Sequence, residues 1–281
     1  MTRTFSQPLE TRDFPLCCVL CERGRFSHPK STGINSTQMR DSITLQTFAT
    51  NADGFKILIS EVDDYSVYKY ISRQLPTVSK STTAQNKALA KLLVSLANYG
   101  AKSQIYADYR TSELANEGLD EYQSLVDYSD ITYNKVTGKE GPVEIKWYPS
   151  PVLGNTIKAN ISIPKSQIAE NGGENAYLVV KYKTGTGKDM EATYSYNDFV
   201  TNTVSGTECW KVTFENIESR TIGTAFTVSL MNGTSSTPVN TLTYSIESYC
   251  AGYKTATGKT ADVTKAMTVY GQNAVAYFAL V

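Results

Sequence analysis

Histidine is almost missing from this chain: His28 is the single one among 281 residues. A multi-histidine metal centre is therefore excluded, and any Ser/His/Asp or Cys/His catalytic set would have to be built on that one position. Tryptophan is nearly as scarce, with only Trp147 and Trp210. No run of about eighteen apolar residues occurs, which excludes a membrane-spanning helix on pattern. An excess of either charge is also lacking, because 27 Lys+Arg balance 27 Asp+Glu. Zero net charge argues against a nucleic acid or an anionic membrane held by bulk electrostatics. Charged residues make up only 19% of the chain, below the usual quarter or so. The polarity comes instead from Thr, Ser, Asn and an unusually large set of Tyr. No cofactor is implied by any motif.

The five cysteines fall into a cluster and two singles. Cys17, Cys18 and Cys21, with His28 seven residues further on, form the donor set of a Cys3His zinc site. Adjacent residues such as Cys17 and Cys18 ligate one ion only with strain, so a loose segment is the preferred reading. Residues 1–38 also hold Arg3, Arg12, Arg23 and Arg25 and show neither helical nor strand periodicity. They read as a separate, poorly ordered arm, without the apolar core of a secretory signal peptide. Cys209 and Cys250 would pair if the fold brought them together, but two isolated half-buried cysteines are the commoner case.

What the chain does have is an internal repeat. Y-S-V-Y-K-Y-I at 65–71 matches Y-S-I-E-S-Y-C at 244–250, and a pair of strand-like runs precedes each. A helix follows each, containing Tyr99-Gly100 with Tyr106 in the first copy and Tyr270-Gly271 with Tyr277 in the second. Leu92, Leu96, Tyr99, Ser103 and Tyr106 align with Val263, Met267, Tyr270, Ala274 and Tyr277, at the spacing that lines one helix face. Glycine inside a helix costs about 1 kcal/mol relative to Ala. Its recurrence at one place points to close approach of another backbone. The expectation is that each stripe packs on the hairpin of its own copy.

From residue 130 on, short β-branched and aromatic runs alternate with turn signals such as T-G-T-G-K-D and N-G-T-S-S. Strands are predicted at 130–136, 142–148, 156–163, 176–184, 190–196, 209–214, 225–231 and 239–245, a spacing that suits an antiparallel sandwich. The first copy has only the last hairpin of such a sandwich before its helix. The predicted class is α+β: an antiparallel Ig-like β-sandwich with an appended amphipathic helix, preceded by an incomplete copy of hairpin plus helix. The division reads as an arm at 1–38, the incomplete copy at 39–120, and the sandwich with its C-terminal helix at 121–281.

The helix N-Y-G-A-K-S-Q-I-Y followed by T-S-E-L-A-N-E-G-L, and the second copy's K-A-M-T-V-Y-G-Q-N-A-V-A-Y-F, resemble a module that recurs in very large secreted or cell-surface proteins of anaerobic Firmicutes. The resemblance covers about residues 40–120 and 205–281. It implies a secreted or surface location and other modules of a larger surface protein as partners. It implies no assigned activity.

Motifs for chemistry are weak. Gly252 to Thr260 imitates a P-loop, but one residue too long and without an alternating β/α setting, so a helix-entry loop capped by Thr260 is expected. Asp63-Asp64 and Asp120-Glu121 are adjacent pairs, which cannot face each other across a cleft. The leading functional expectation is a non-catalytic structural or display module. The alternative is a carbohydrate-binding module that uses surface aromatics, with Trp147 and Tyr148 as the platform because Pro149 and Pro151 should end their strand near a rim. A hydrolase with an unrecognised carboxylate pair comes third.

Overall fold

The computed structural model describes residues 20–22, 25–27, 34–50, 53–154, 156–233 and 235–281. The Cys17, Cys18 and His28 positions lie outside the described residues, as does the Cys21 side chain, so the zinc reading stays where the sequence left it. Contacts divide the chain into two units: residues 1–34 with 41–66, and residues 35–40 with 67–281.

The first unit holds two antiparallel hairpins among its described residues. One joins β1 (Leu20–Glu22) to β2 (Arg25–Ser27), and the other joins β3 (Ile43–Thr50) to β4 (Lys56–Tyr65). The β3–β4 ladder is interrupted between Ile43 and Leu45, where Asp64 takes φ +57. Ser42 Oγ donates to Asp64 Oδ1 at 2.5 Å and Thr44 Oγ1 to Asp63 Oδ1 at 3.1 Å. These short polar bonds hold the irregular end of the hairpin.

The second unit opens with the 3-10 turn Ser36–Gln38, then α1 (Val67–Val78) and α2 (Ala84–Ala107). Ser36 and Thr37, at the end of the stretch read as an arm, are buried, as is Met39. Met39 O accepts from Tyr68 N at 2.8 Å, and the Arg40 guanidinium lies 3.7 Å from the Tyr68 ring centre. Tyr68 OH and Arg40 Nη2 both donate to the Glu117 carbonyl.

The β region forms two antiparallel sheets. One has the order β10 (Val200–Val204), β11 (Thr207–Phe214), β7 (Ala159–Pro164), β6 (Tyr148–Pro151). The other runs β5 (Thr137–Glu140), β13 (Asn240–Tyr244), β12 (Phe226–Asn232), β8 (Ala176–Lys183), β9 (Asp189–Tyr194). Period-2 alternation turns Ile161, Ile163, Val212 and Phe214 of the first, and Leu178, Val180, Val228 and Leu230 of the second, into a buried layer. Phe214 joins the sheets, its ring 5.4 Å from Phe226 and 4.9 Å from Tyr182.

Two predicted strands are corrected. Residues 130–136 form no ladder, because their backbone is bonded by side chains of α4 (Ile246–Ala251): Asn134 N donates to Glu247 Oε2 and Val136 N to Ser248 Oγ. The strand falls just after, at β5, on a stretch read as a turn. In 142–147 Ile145 and Trp147 are buried in alternation, yet no strand pairs there. Gln167 of α3 (Lys165–Glu170) stands in for one, accepting from Lys146 N at 2.8 Å and donating to Glu144 O at 3.2 Å. The edge strand β10 was not foreseen.

The two repeated helices, α2 and α5 (Lys259–Phe278), pack antiparallel on each other rather than each on its own hairpin. Leu92 meets Ala274 and Tyr277. Tyr99 stacks on Tyr270 with ring centres 5.7 Å apart and planes 13° from parallel. Lys102 Nζ reaches Asp262 Oδ2 at 3.1 Å and Lys259 Nζ reaches Asp108 Oδ1 at 2.5 Å. The glycines explain themselves here. A Cβ on Gly100 would collide with Met39 Sδ, and one on Gly271 would lie 2.9 Å from Ile222 Cδ1 and 3.1 Å from the Ser219 carbonyl. Met39 and Ile222 each follow a 3-10 turn, Ser36–Gln38 and Ser219–Thr221.

Tyr99 is almost fully buried, whereas Tyr270 is partly exposed. Tyr99→Ala should lower stability by about 3–5 kcal/mol in urea unfolding, and Tyr270→Ala by less. Gly271→Ala should lower it by about 1–3 kcal/mol, because a carbonyl cannot move aside as Met39 can beside Gly100. Equal losses for the two tyrosines would contradict this packing.

Candidate functional site

The outer face of the four-stranded sheet carries a shallow groove of about 330 Å³, lined by Tyr148 and Ser150 of β6, Asn160 and Ser162 of β7, Lys211 of β11 and Asn202 of β10, among others. Strand register builds it. Lys211 sits opposite Ser162, which sits opposite Tyr148, and Ser150 sits opposite Asn160. These are the polar alternates of the residues that fill the layer between the sheets. Asn202 Nδ2 donates to Ser162 Oγ at 3.2 Å, and Thr213 Oγ1 donates to Asn160 Oδ1 at 2.9 Å. Lys146 Nζ stands 5.3 Å from the centre of the Tyr148 ring.

The two platform residues part company here. Tyr148 is half-buried with its ring at the groove. Trp147 also lines the groove, but only 5% of it is exposed. Its indole Nε1 donates to Asn240 Oδ1 at 2.7 Å, and Asn240 Nδ2 donates to the Val143 carbonyl at 2.9 Å. A buried indole with its one donor satisfied ties the segment before β6 to β13. It cannot offer a flat face to a sugar. Asn160, Ser162, Asn202 and Lys211 escaped the sequence reading because they lie on three strands. The one signal was their alternation with Ile161, Ile163 and Val212.

Chemically the groove offers hydroxyls, two amides, one ammonium and a Tyr ring. No carboxylate is among its lining residues, so it holds no acid/base pair.

A second cluster surrounds Glu247, a carboxylate only 4% exposed at the start of α4. Its Oε2 accepts from Asn134 N at 2.6 Å and its Oε1 from Gln272 Nε2 at 3.3 Å. Ser248 Oγ donates to the Val136 carbonyl, Ser245 Oγ to the Asn134 carbonyl and Asn134 Nδ2 to the Gly223 carbonyl. Gln272 Nε2 also donates to Thr132 O. Together these clasp residues 132–136 onto α4 and α5. Burial raises the carboxyl pKa above its ordinary value, and the two hydrogen bonds only partly offset it. Ser245, which coincides with Ser66 in the repeat, caps α4 by accepting from Ser248 N at 3.2 Å. The shared serine is a capping residue, not a nucleophile.

Other candidates resolve as packing. Cys209 and Cys250 are both free and buried, and burial pushes the Cys250 thiol up to about 12. The Tyr99 hydroxyl is likewise pushed up to about 12 by burial, with Ser36 and Ser103 pulling the other way. In the segment that imitates a P-loop, Gly258 with φ +95 stands at the cap and Thr260 lies inside α5, which corrects the expected cap. The element before it is α4 rather than a strand. Among the described residues no group of three His, Cys, Asp or Glu is placed to hold a metal, and no helix is long and apolar enough to cross a membrane.

No protein-family model, curated protein or solved structure matches this chain.

Glu247 makes stability depend on pH with a definite sign. Its folded pKa lies above the ordinary 4.5, so the folded state holds this proton more tightly than the unfolded state. The contribution is full below 4.5 and is lost as pH rises through the raised folded value. Glu247→Gln should flatten that part of a melting-temperature profile taken from about pH 4 to pH 8. An unchanged profile would show that the carboxyl is not desolvated as described.

Proposed function

We propose that this chain is a non-catalytic structural or display module of a larger secreted or cell-surface bacterial protein, with other modules of that protein as its partners. In this reading the two sheets form an Ig-like β-sandwich, and the helix pair is its fastening to the incomplete copy. One observation carries it: what the copies share is used for packing. Tyr99 and Tyr270 stack on each other, Gly100 and Gly271 admit the turns that precede each hairpin, and the shared serine in the second copy caps a helix. A catalytic repeat would share polar groups converging on a cavity. The surface location comes from the sequence resemblance alone.

The groove supports a second reading, carbohydrate binding through Tyr148 with Ser162, Asn202 and Lys211. Amides and hydroxyls on a rigid sheet suit sugar hydroxyls, and a half-buried Tyr suits the apolar face of a pyranose.

The two readings separate in one set of measurements. The first expects no turnover in glycosidase and esterase screens and no selective signal on a glycan array. Selective glycan binding that Tyr148→Ala abolishes, with an unchanged melting temperature, would establish the second instead. Turnover lost on changing a single carboxylate would remove both.

A further inference from the structure

Strand register puts Ser162 at the floor of the groove. It is only 2% exposed, yet it lines the cavity between Lys211 on β11 and Tyr148 on β6. Its Oγ accepts from Asn202 Nδ2, and among the described residues its own proton has no acceptor. A buried donor left without a partner costs free energy that a bound oxygen would recover. Asn160 is placed alike. Its Oδ1 is taken by Thr213, and among the described residues its Nδ2 has no partner.

Two ammonium groups join these donors. Lys211 lines the groove, and Lys146 stands at its rim beside Tyr148. Among the described residues neither is paired with a carboxylate, whereas Lys158, just before β7, reaches Glu215 at 2.5 Å.

The uncommitted groups are therefore mostly donors. Lys211, Lys146, the Ser162 hydroxyl and Asn160 Nδ2 stand against one amide acceptor, Asn202 Oδ1. Sugar hydroxyls donate as readily as they accept, so a neutral sugar does not use this imbalance. A carboxylate only accepts, and it gains most from charged donors.

We propose, resting on the glycan-binding reading of this groove rather than on the display reading, that the groove binds an acidic glycan through one uronate residue, its carboxylate on Lys211, Ser162 and Asn160 and its ring against Tyr148. Only β7 lies between Lys211 and Tyr148. They stand two strand spacings apart, about 10 Å, which is room for one sugar ring and its carboxylate. A uronate fits better than a sulfate ester because it adds charge without giving up a secondary hydroxyl, and Asn202 Oδ1 needs a hydroxyl to accept from. Lys146 at the rim serves the next acidic residue of the glycan.

The test is calorimetric binding of the full chain to oligomers of galacturonate, of mannuronate and of hyaluronan. Each is compared with its methyl-esterified form, and dextran sulfate and a neutral glycan array are run beside them. Saturable binding of at least one uronate oligomer is expected, about tenfold or more weaker for its methyl ester and weaker as salt is added. Lys211→Met should remove the difference between acid and ester with an unchanged melting temperature, and Tyr148→Ala should weaken both forms alike. Equal binding of acid and ester, selective binding of a neutral glycan alone, or an acid preference that survives Lys211→Met would overturn the uronate assignment and leave glycan binding standing. Tighter binding of dextran sulfate would overturn it in favour of a sulfated ligand. No binding of any glycan, acidic or neutral, would overturn both.

Discussion

The stack of Tyr99 on Tyr270 is the contact on which the helical half of the molecule depends. It brings two antiparallel helices together at the Tyr that precedes a glycine in each. Leu92 with Tyr277 on one side and the Lys102–Asp262 and Lys259–Asp108 pairs on the other extend it along the helices. The apolar and aromatic part does the stabilising, because exposed ion pairs contribute little each. The glycine that follows each Tyr sets the distance to the turn beneath. α1 and α2 belong to the same unit as the four- and five-stranded sheets.

The β half answers to a different constraint, the need to satisfy backbone where no strand is at hand. Residues 132–136 and 142–147 both lie outside any ladder. Side chains replace the missing neighbours: Glu247, Ser245 and Ser248 for the first, Gln167 for the second. The first solution buries a carboxylate, and Glu247 shows the result in its raised pKa.

The sequence reading was strongest where one period dominates. The alternation of Ile161, Ile163, Val212 and Phe214 with polar neighbours located the layer between the sheets, and the Tyr-Gly repeat located the paired helices. It misplaced what depends on distant partners. The stripes on α2 and α5 announce a buried face, but periodicity does not say what covers it. Residues 130–136 have strand composition, yet the partner that would make them a strand is displaced by α4. Trp147 and Tyr148 are neighbours with the same local signals. Asn240, almost a hundred positions away, holds the buried Trp147 indole, while Tyr148 stays half-buried. The groove itself is assembled from residues on three further strands, which no local window can join.

The pinch at Met39, Arg40, Tyr68 and Glu117 has an architectural corollary. The chain leaves the second unit after Arg40 and re-enters it at Val67, and both ends of that excursion are fixed to each other by the Met39–Tyr68 backbone bond and the Arg40–Tyr68 ring contact. Everything between them is topologically a side loop whose closure is already settled by groups outside it. The entropy of closing residues 41–66 is thus met by contacts made outside them, even though they share a unit with residues 1–34.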